Sequence, residues 1–172
     1  MIWPEAHHLV PPVVAMPKGY EMRQLGPEDT ASYLELMHSA GFSDWNSETV
    51  VRVTRGVLPG GYFVVQHGNA GRIVATAIAN HCPAERHPFG GELGWVAVAP
   101  RHRGKNLGKA VCSAVVRRFL QAGYRRIYLK TDDFRLPAVK LYLRLGFQPH
   151  YYKKEMRDRW EQIFQKLGWP AE

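Results

Sequence analysis

Between a strand pattern ending at Ala99 and a helix pattern beginning near Leu107 lies the run Arg101-His102-Arg103-Gly104-Lys105-Asn106-Leu107-Gly108-Lys109. A helix start leaves its first amide N–H groups without intrahelical acceptors, and the macrodipole places roughly +0.5 charge at that end. The amides converge on one point, and an anion belongs there. Gly104 and Gly108 let the backbone approach a ligand without an intervening Cβ, while Arg101, Arg103, Lys105 and Lys109 add charge. Two well-known phosphate loops do not fit. Three residues rather than four separate Gly104 from Gly108, and Lys109 is followed by Ala110 instead of Ser or Thr, which disfavours a Mg-nucleotide loop. No G-x-G-x-x-G follows a strand, so a dinucleotide fold is unsupported. The plain alternative is a tight basic turn without a ligand.

The elements that must position this loop can be read from hydrophobic periodicity. Residues 20–25 suit a strand, after which Gly26-Pro27 opens a helix carrying Tyr33, Leu34, Met37 and Ala40 on one side. A second helical stretch covers residues 47–57. Residues 62–66 and 72–79 read as an antiparallel hairpin around Gly68-Asn69-Ala70-Gly71. A loop over 81–91 leads to a near-continuous apolar strand over 92–99. The helix from Leu107 places Val111, Ala114, Val115, Phe119 and Ala122 on one face, with Gly123 as its stop. A strand over 127–131, a helix opened by Pro137 and a last strand over 147–152, interrupted by Pro149, complete the pattern. Met156, Trp160, Ile163, Phe164 and Leu167 mark a terminal amphipathic helix, expected to pack on the domain.

The chain of 172 residues, 45% hydrophobic, suits one domain with a real core. Three parts are expected: a proline-rich arm over 1–19, a domain over 20–152 and the packed helix over 153–172. Lys and Arg outnumber Asp and Glu by 23 to 15, a formal charge of +8, which favours an anionic partner or simply a soluble basic surface. Cys82 and Cys112 form no CxxC pair, and a reducing cytoplasm suits them better than a disulfide framework. Neither a secretory signal nor a membrane span is indicated. His81, Cys82 and His87 match no standard zinc spacing, so no metal is expected.

A second block, Pro137-Ala138-Val139-Lys140-Leu141-Tyr142-Leu143-Arg144-Leu145-Gly146-Phe147, gives the loop its context. Together with Arg103-Gly104-Lys105-Asn106-Leu107-Gly108 it resembles the GNAT superfamily of acyl-CoA-dependent N-acyltransferases. That signature is a strand, then Arg/Gln-x-x-Gly-x-Gly/Ala, then a helix, followed later by an Ala, a Leu-Tyr pair and a Gly-Phe. The resemblance is sharp over about residues 92–148 and extends loosely back to Tyr20. Two departures stand out: Asn106 replaces the first glycine, and Arg135 replaces an Asn that often precedes the later motif. Asn is the residue after Gly that best tolerates a left-handed backbone. Arg135 removes an amide contact and offers a cation instead.

The resemblance implies an α/β fold with a mixed, mostly antiparallel sheet of six to seven strands, about four flanking helices and the terminal helix. It implies acetyl-CoA as co-substrate, with backbone groups of Val96, Ala97 and Val98 along the pantetheine arm and Arg103, Gly104, Lys105, Asn106, Leu107, Gly108 and Lys109 around the pyrophosphate. The thioester would lie where two neighbouring strands separate, and an acceptor amine would attack it directly. A lysine-like ammonium has pKa ≈ 10.4, so attack needs a base or a water chain. Glu92 is the candidate base, with an edge-of-strand ion pair as its alternative; alternation puts it on the side of Gly94 and Val96. Tyr142 occupies the family's acid position. The acceptor, a small-molecule or peptide amine, is expected near His38 to Trp45, Glu92 and Tyr151, and a homodimer is open. Rival readings are an inactive acyl-CoA-binding sensor and a basic nucleic-acid-binding module, to which Tyr151, Tyr152, Lys153 and Lys154 would lend a stacking platform.

Overall fold

The computed structural model describes residues 1–68 and 71–170. Asn69 and Ala70 of the expected hairpin turn, and the last two residues of the expected terminal segment, lie outside them. Five strands form one sheet in the order β1-β2-β3-β4-β5: β1 (Tyr20–Gln24), β2 (Val57–His67), β3 (Arg72–His81), β4 (Gly91–Val98) and β5 (Ile127–Tyr128). All neighbours are antiparallel except β4 and β5. The helices are α1 (Thr30–Ser39), α2 (Ser47–Thr54), α3 (Leu107–Gln121), α4 (Leu136–Leu145) and α5 (Met156–Leu167).

Each face of the sheet carries its own core. On one side Leu93, Val111, Val115, Phe119 and Phe147 are buried together against α3 and α4. On the other, Tyr33, Leu36, Met37, Trp45, Val50 and Ile78 pack under α1 and α2. Trp160 and Ile163 of α5 close on Val139 of α4, as the apolar stripe of that helix requires.

Four elements depart from the periodicity. Helix α2 stops at Thr54, because Val57 already pairs with Asn80 and β2 therefore starts five residues before Tyr62. A 3-10 turn over Pro27–Asp29 precedes α1, with Asp29 accepting from Gly26 N at 2.7 Å and held by Arg23. The sheet has five strands rather than six or seven. The expected strand over 147–152 is the main reason: Pro149 cannot donate to a ladder, and only Gln148 makes a bridge.

That bridge is to Ile2. Ile2 and Gln148 exchange both backbone hydrogen bonds at 2.9 and 2.8 Å, while Trp3 N donates to Ile127 O at 2.9 Å and Leu129 N to Met1 O at 3.0 Å. Residues 1–3 thus fill the strand position beside β5. Proline content argues against sheet pairing in the first nineteen residues, yet the three residues before Pro4 keep their donors and use them. Trp3 is 4% exposed, its ring edge-on to Phe147 at 5.3 Å. Further along, Ser113 of α3 donates to the Pro12 carbonyl.

Candidate active site

The basic loop folds as a 3-10 turn over Pro100–His102 followed by two left-handed residues, Gly104 (φ 77°) and Asn106 (φ 61°). Asn106 stands immediately before α3 with no side-chain capping bond. It adopts the conformation its glycine counterpart would, at little cost for this residue type. Among the described residues, no hydrogen-bond acceptor serves the amides of residues 104–109. A Cβ built on Gly104 meets nothing within 4 Å, so that side of the loop is open. The residues fit a pyrophosphate: unpaired donors, a helix start and open space coincide. Gly108 has a second role that its spacing did not show, since a Cβ there would come within 2.8 Å of Leu141 Cδ1.

Lys105 donates to the Tyr20 hydroxyl at 2.9 Å, and the same hydroxyl lies 2.9 Å from His102 Nδ1. Arg103 Nε donates to the Val98 carbonyl at 3.3 Å. Cations of the loop are thereby braced against β1 and β4. Leu107 is buried beneath the loop, and Lys109 is half-buried.

Beyond the loop, β4 and β5 part. Only Gly91↔Ile127 and Glu92↔Tyr128 are paired, after which a cavity of about 380 Å³ opens between them. Its walls include Glu92, Gly94, Val96, Lys130, Arg135 and Tyr142. Glu92 and Tyr142 therefore face one space from two elements. Arg135 stands just before α4, ion-paired to Asp132 at 3.0 Å and 5.6 Å over the Phe42 ring.

The alternation expected along β4 is broken by a bulge. Ile78 pairs with Gly94 and Thr76 with Ala97, so Trp95 and Val96 together oppose Ala77, and Trp95 takes φ 49°. Leu93 lies in the core under α3, whereas Ala97 lies in the core under α1 and α2. Glu92 and Gly94 thus point away from α3, and Val96 points toward it. The strand reading had them on one side; the extra residue reverses the phase.

Glu92 sits in a cluster that sequence reasoning missed. Tyr128 donates to the Cys82 carbonyl at 2.7 Å and reaches Glu92 Oε2 at 3.2 Å, and Lys130 Nζ lies 3.1 Å from the same oxygen. Burial raises the Tyr128 hydroxyl pKa, and the Cys82 and Glu92 contacts raise it further. Asn80, opposite Glu92 across the β3–β4 ladder, lines the cavity as well. Trp95 packs on Trp45 at 4.7 Å and on Phe42 at 5.8 Å, giving the cavity an aromatic wall. The apolar strand pattern hinted at Tyr128 only as one more strand residue.

Tyr142 is 6% exposed and lines the cavity. Burial raises its pKa well above the ordinary phenol value, so it stays protonated. The Cys112 thiol is fully buried and pushed up likewise, which leaves it unreactive. His81 bonds the Tyr124 hydroxyl at 2.6 Å while His87 stacks on Tyr128 at 4.0 Å, so the loop's candidate ligands turn to separate partners. No helix among the described residues is long and apolar enough to cross a membrane.

Comparison with known proteins supports the fold. A mycothiol acetyltransferase of Pseudarthrobacter chlorophenolicus is 28% identical over 144 residues, covering 79% of this chain and 45% of the relative. The chain spans about half the length of the mycothiol acetyltransferases it matches over most of its residues. An acetyltransferase structure from Trypanosoma brucei superposes with TM-score 0.62 at 27% identity, covering 78% of this chain and 96% of that one. AAC(6')-Iy in complex with a CoA-containing bisubstrate analogue shares the fold, with TM-score 0.59, 17% identity and coverage of 78% and 97%. The model of the acetyltransferase (GNAT) family matches residues 23–147, which include strands β2 to β5, the loop and the cavity, and the chain belongs to that family.

Proposed function

We propose that the protein transfers an acetyl or other short acyl group from acyl-CoA to a primary amine, by direct attack within a ternary complex. The observation that carries this reading is the shared cavity. Glu92 and Tyr142 face one space at the point where β4 and β5 part, and the unpartnered amides of the loop lie at the start of the helix that follows β4. Acetyl-CoA supplies an activated thioester. The amides of residues 104–109 would hold its pyrophosphate, and the unpaired edge of β4 past Glu92, over Val96, Ala97 and Val98, offers backbone groups to an extended chain.

Glu92 would take a proton from the acceptor nitrogen, either directly or through water, as the new C–N bond forms. Lys130 and Tyr128 both contact its Oε2 and fix its direction. The C–S bond breaks with its electron pair on sulfur, and the Tyr142 hydroxyl is the donor for that thiolate. Cysteine-like thiols have pKa ≈ 8.5, so protonation helps without being indispensable.

An inactive acyl-CoA sensor is the second reading, and the Lys130–Glu92 ion pair favours it, since the oxygen that Lys130 engages is less open to an acceptor amine. Turnover separates the two. Free-thiol release is measured with acetyl-CoA and a panel of polyamines, aminoglycosides, amino acids and peptide N-termini. An enzyme gives release that falls about 10²-fold or more in Glu92→Gln and less in Tyr142→Phe. A sensor binds acetyl-CoA in calorimetry and releases nothing with any amine.

A further inference from the structure

A second cavity of about 470 Å³ lies beside β5 and meets the first at Lys130 and Thr131, which line both. None of residues 101–109 lines it, so its cations are not those of the pyrophosphate loop. Arg86 and His87 come from the loop after β3, His150 and Tyr152 follow α4, and Trp160 belongs to α5. Folding alone brings these segments together.

The wall is rich in hydrogen-bond donors, and Arg86 among its cations forms no ion pair with a described residue. His87 Nδ1 accepts from Arg126 Nε at 3.1 Å, which leaves the imidazole proton on Nε2 as a donor. The His150 ring stands 5.2 Å from that of His87, and the Arg86 guanidinium lies 4.5 Å over Tyr152. Among the described residues, no carboxylate lies within 4 Å of Arg86, Arg126, His87 or His150. Of the acids lining the cavity, Asp133 is held by Arg159 at 2.8–3.0 Å, and Glu85 forms no ion pair among the described residues. Desolvation, and then the Arg126 charge, lower both histidine pKa values, that of His87 to about 4. Neutral imidazoles beside the Arg86 guanidinium suit an anionic oxygen ligand.

This wall stands next to the candidate base. His87 stacks on the Tyr128 ring, nearly parallel at 13°, and the Tyr128 hydroxyl is 3.2 Å from Glu92. A molecule held at the wall extends toward the first cavity past Lys130.

We propose that the second cavity binds the acceptor, and that the acceptor is a primary amine carrying a carboxylate or phosphate at its far end. Arg86, His87 and His150 grip the anion while the amine reaches Glu92. The inference rests on the transferase reading above. Two matched pairs test it: β-alanine against β-alaninamide, and 3-aminopropyl phosphate against 3-aminopropanol, each with acetyl-CoA and thiol release as the readout.

The charged member of at least one pair is expected to show kcat/KM about tenfold higher or more, equivalent to about 1.4 kcal/mol. Which pair responds tells carboxylate from phosphate. In the double variant Arg86→Ser, His150→Gln, the favoured acceptor's KM rises by a similar factor, and acetyl-CoA affinity measured by calorimetry stays unchanged. Equal turnover of charged and neutral members, or a preference that the double variant keeps, overturns the proposal while leaving the transferase reading intact. Bound acetyl-CoA with no turnover of any amine overturns both.

Discussion

Single residues in this protein bear conformations and charges that their neighbours impose. Asn106 holds φ 61° at the start of α3, where a β-branched side chain would be strained. Asn106→Val is expected to lower stability by about 1–2 kcal/mol and weaken CoA binding, whereas Asn106→Gly stays within about 1 kcal/mol of the parent. Urea unfolding with calorimetric titration checks both. The histidines offer a second test. His87 is lowered to about 4, by desolvation and then by Arg126, His150, the amino terminus and Lys130, with His102 and His150 lowered too. Below the unfolded value of about 6.5 the unfolded chain binds more protons than the folded one, so stability falls as pH drops from about 6.5 toward 4. Thermal melts at pH 7.5 and 5 should show a lower midpoint at pH 5, and His87→Gln should lessen the difference.

Among the elements, the parting of β4 from β5 matters most to the site, and it begins just past Glu92, beside Gly91. A Cβ on Gly91 would come within 2.6 Å of Phe119 Cδ1, a ring that is itself fully buried. Gly91→Ala is expected to cost about 1–3 kcal/mol by overpacking. Because Gly91 N also bonds Arg126 O at 2.8 Å, the displaced strand should disturb the Glu92–Tyr128 pairing that follows. The expected signs are a lower denaturant midpoint and a reduced kcat at unchanged acetyl-CoA affinity. Downstream, the Trp95 bulge turns Val96 to the α3 face and leaves Glu92 on the opposite one, so a single extra residue sets the two on different faces of the sheet.

For the molecule as a whole, the two cores are joined across one sheet whose outer position, beside β5, is taken by residues 1–3. Trp3→Ala removes an indole that is 4% exposed and packed against Phe147, and a loss of about 3–5 kcal/mol is expected in equilibrium unfolding. A smaller loss would mean that the amino-terminal residues add little to the sheet. What the sequence by itself determined is the part written in contiguous residues. The cradle is one such part, because helix-start amides and left-handed Asn106 arise within six residues of backbone. The order of strands and helices is another, because periodicity is local. Tertiary structure alone decided the rest. Tyr128 and Lys130 meet Glu92 from 36 and 38 residues away, residues 1–3 replace a strand that Pro149 forbids, and Arg86, His87 and His150 converge on one wall. The reason is physical: parallel pairing and packing between distant segments depend on register, and one bulge or one missing donor changes that register without altering the local pattern.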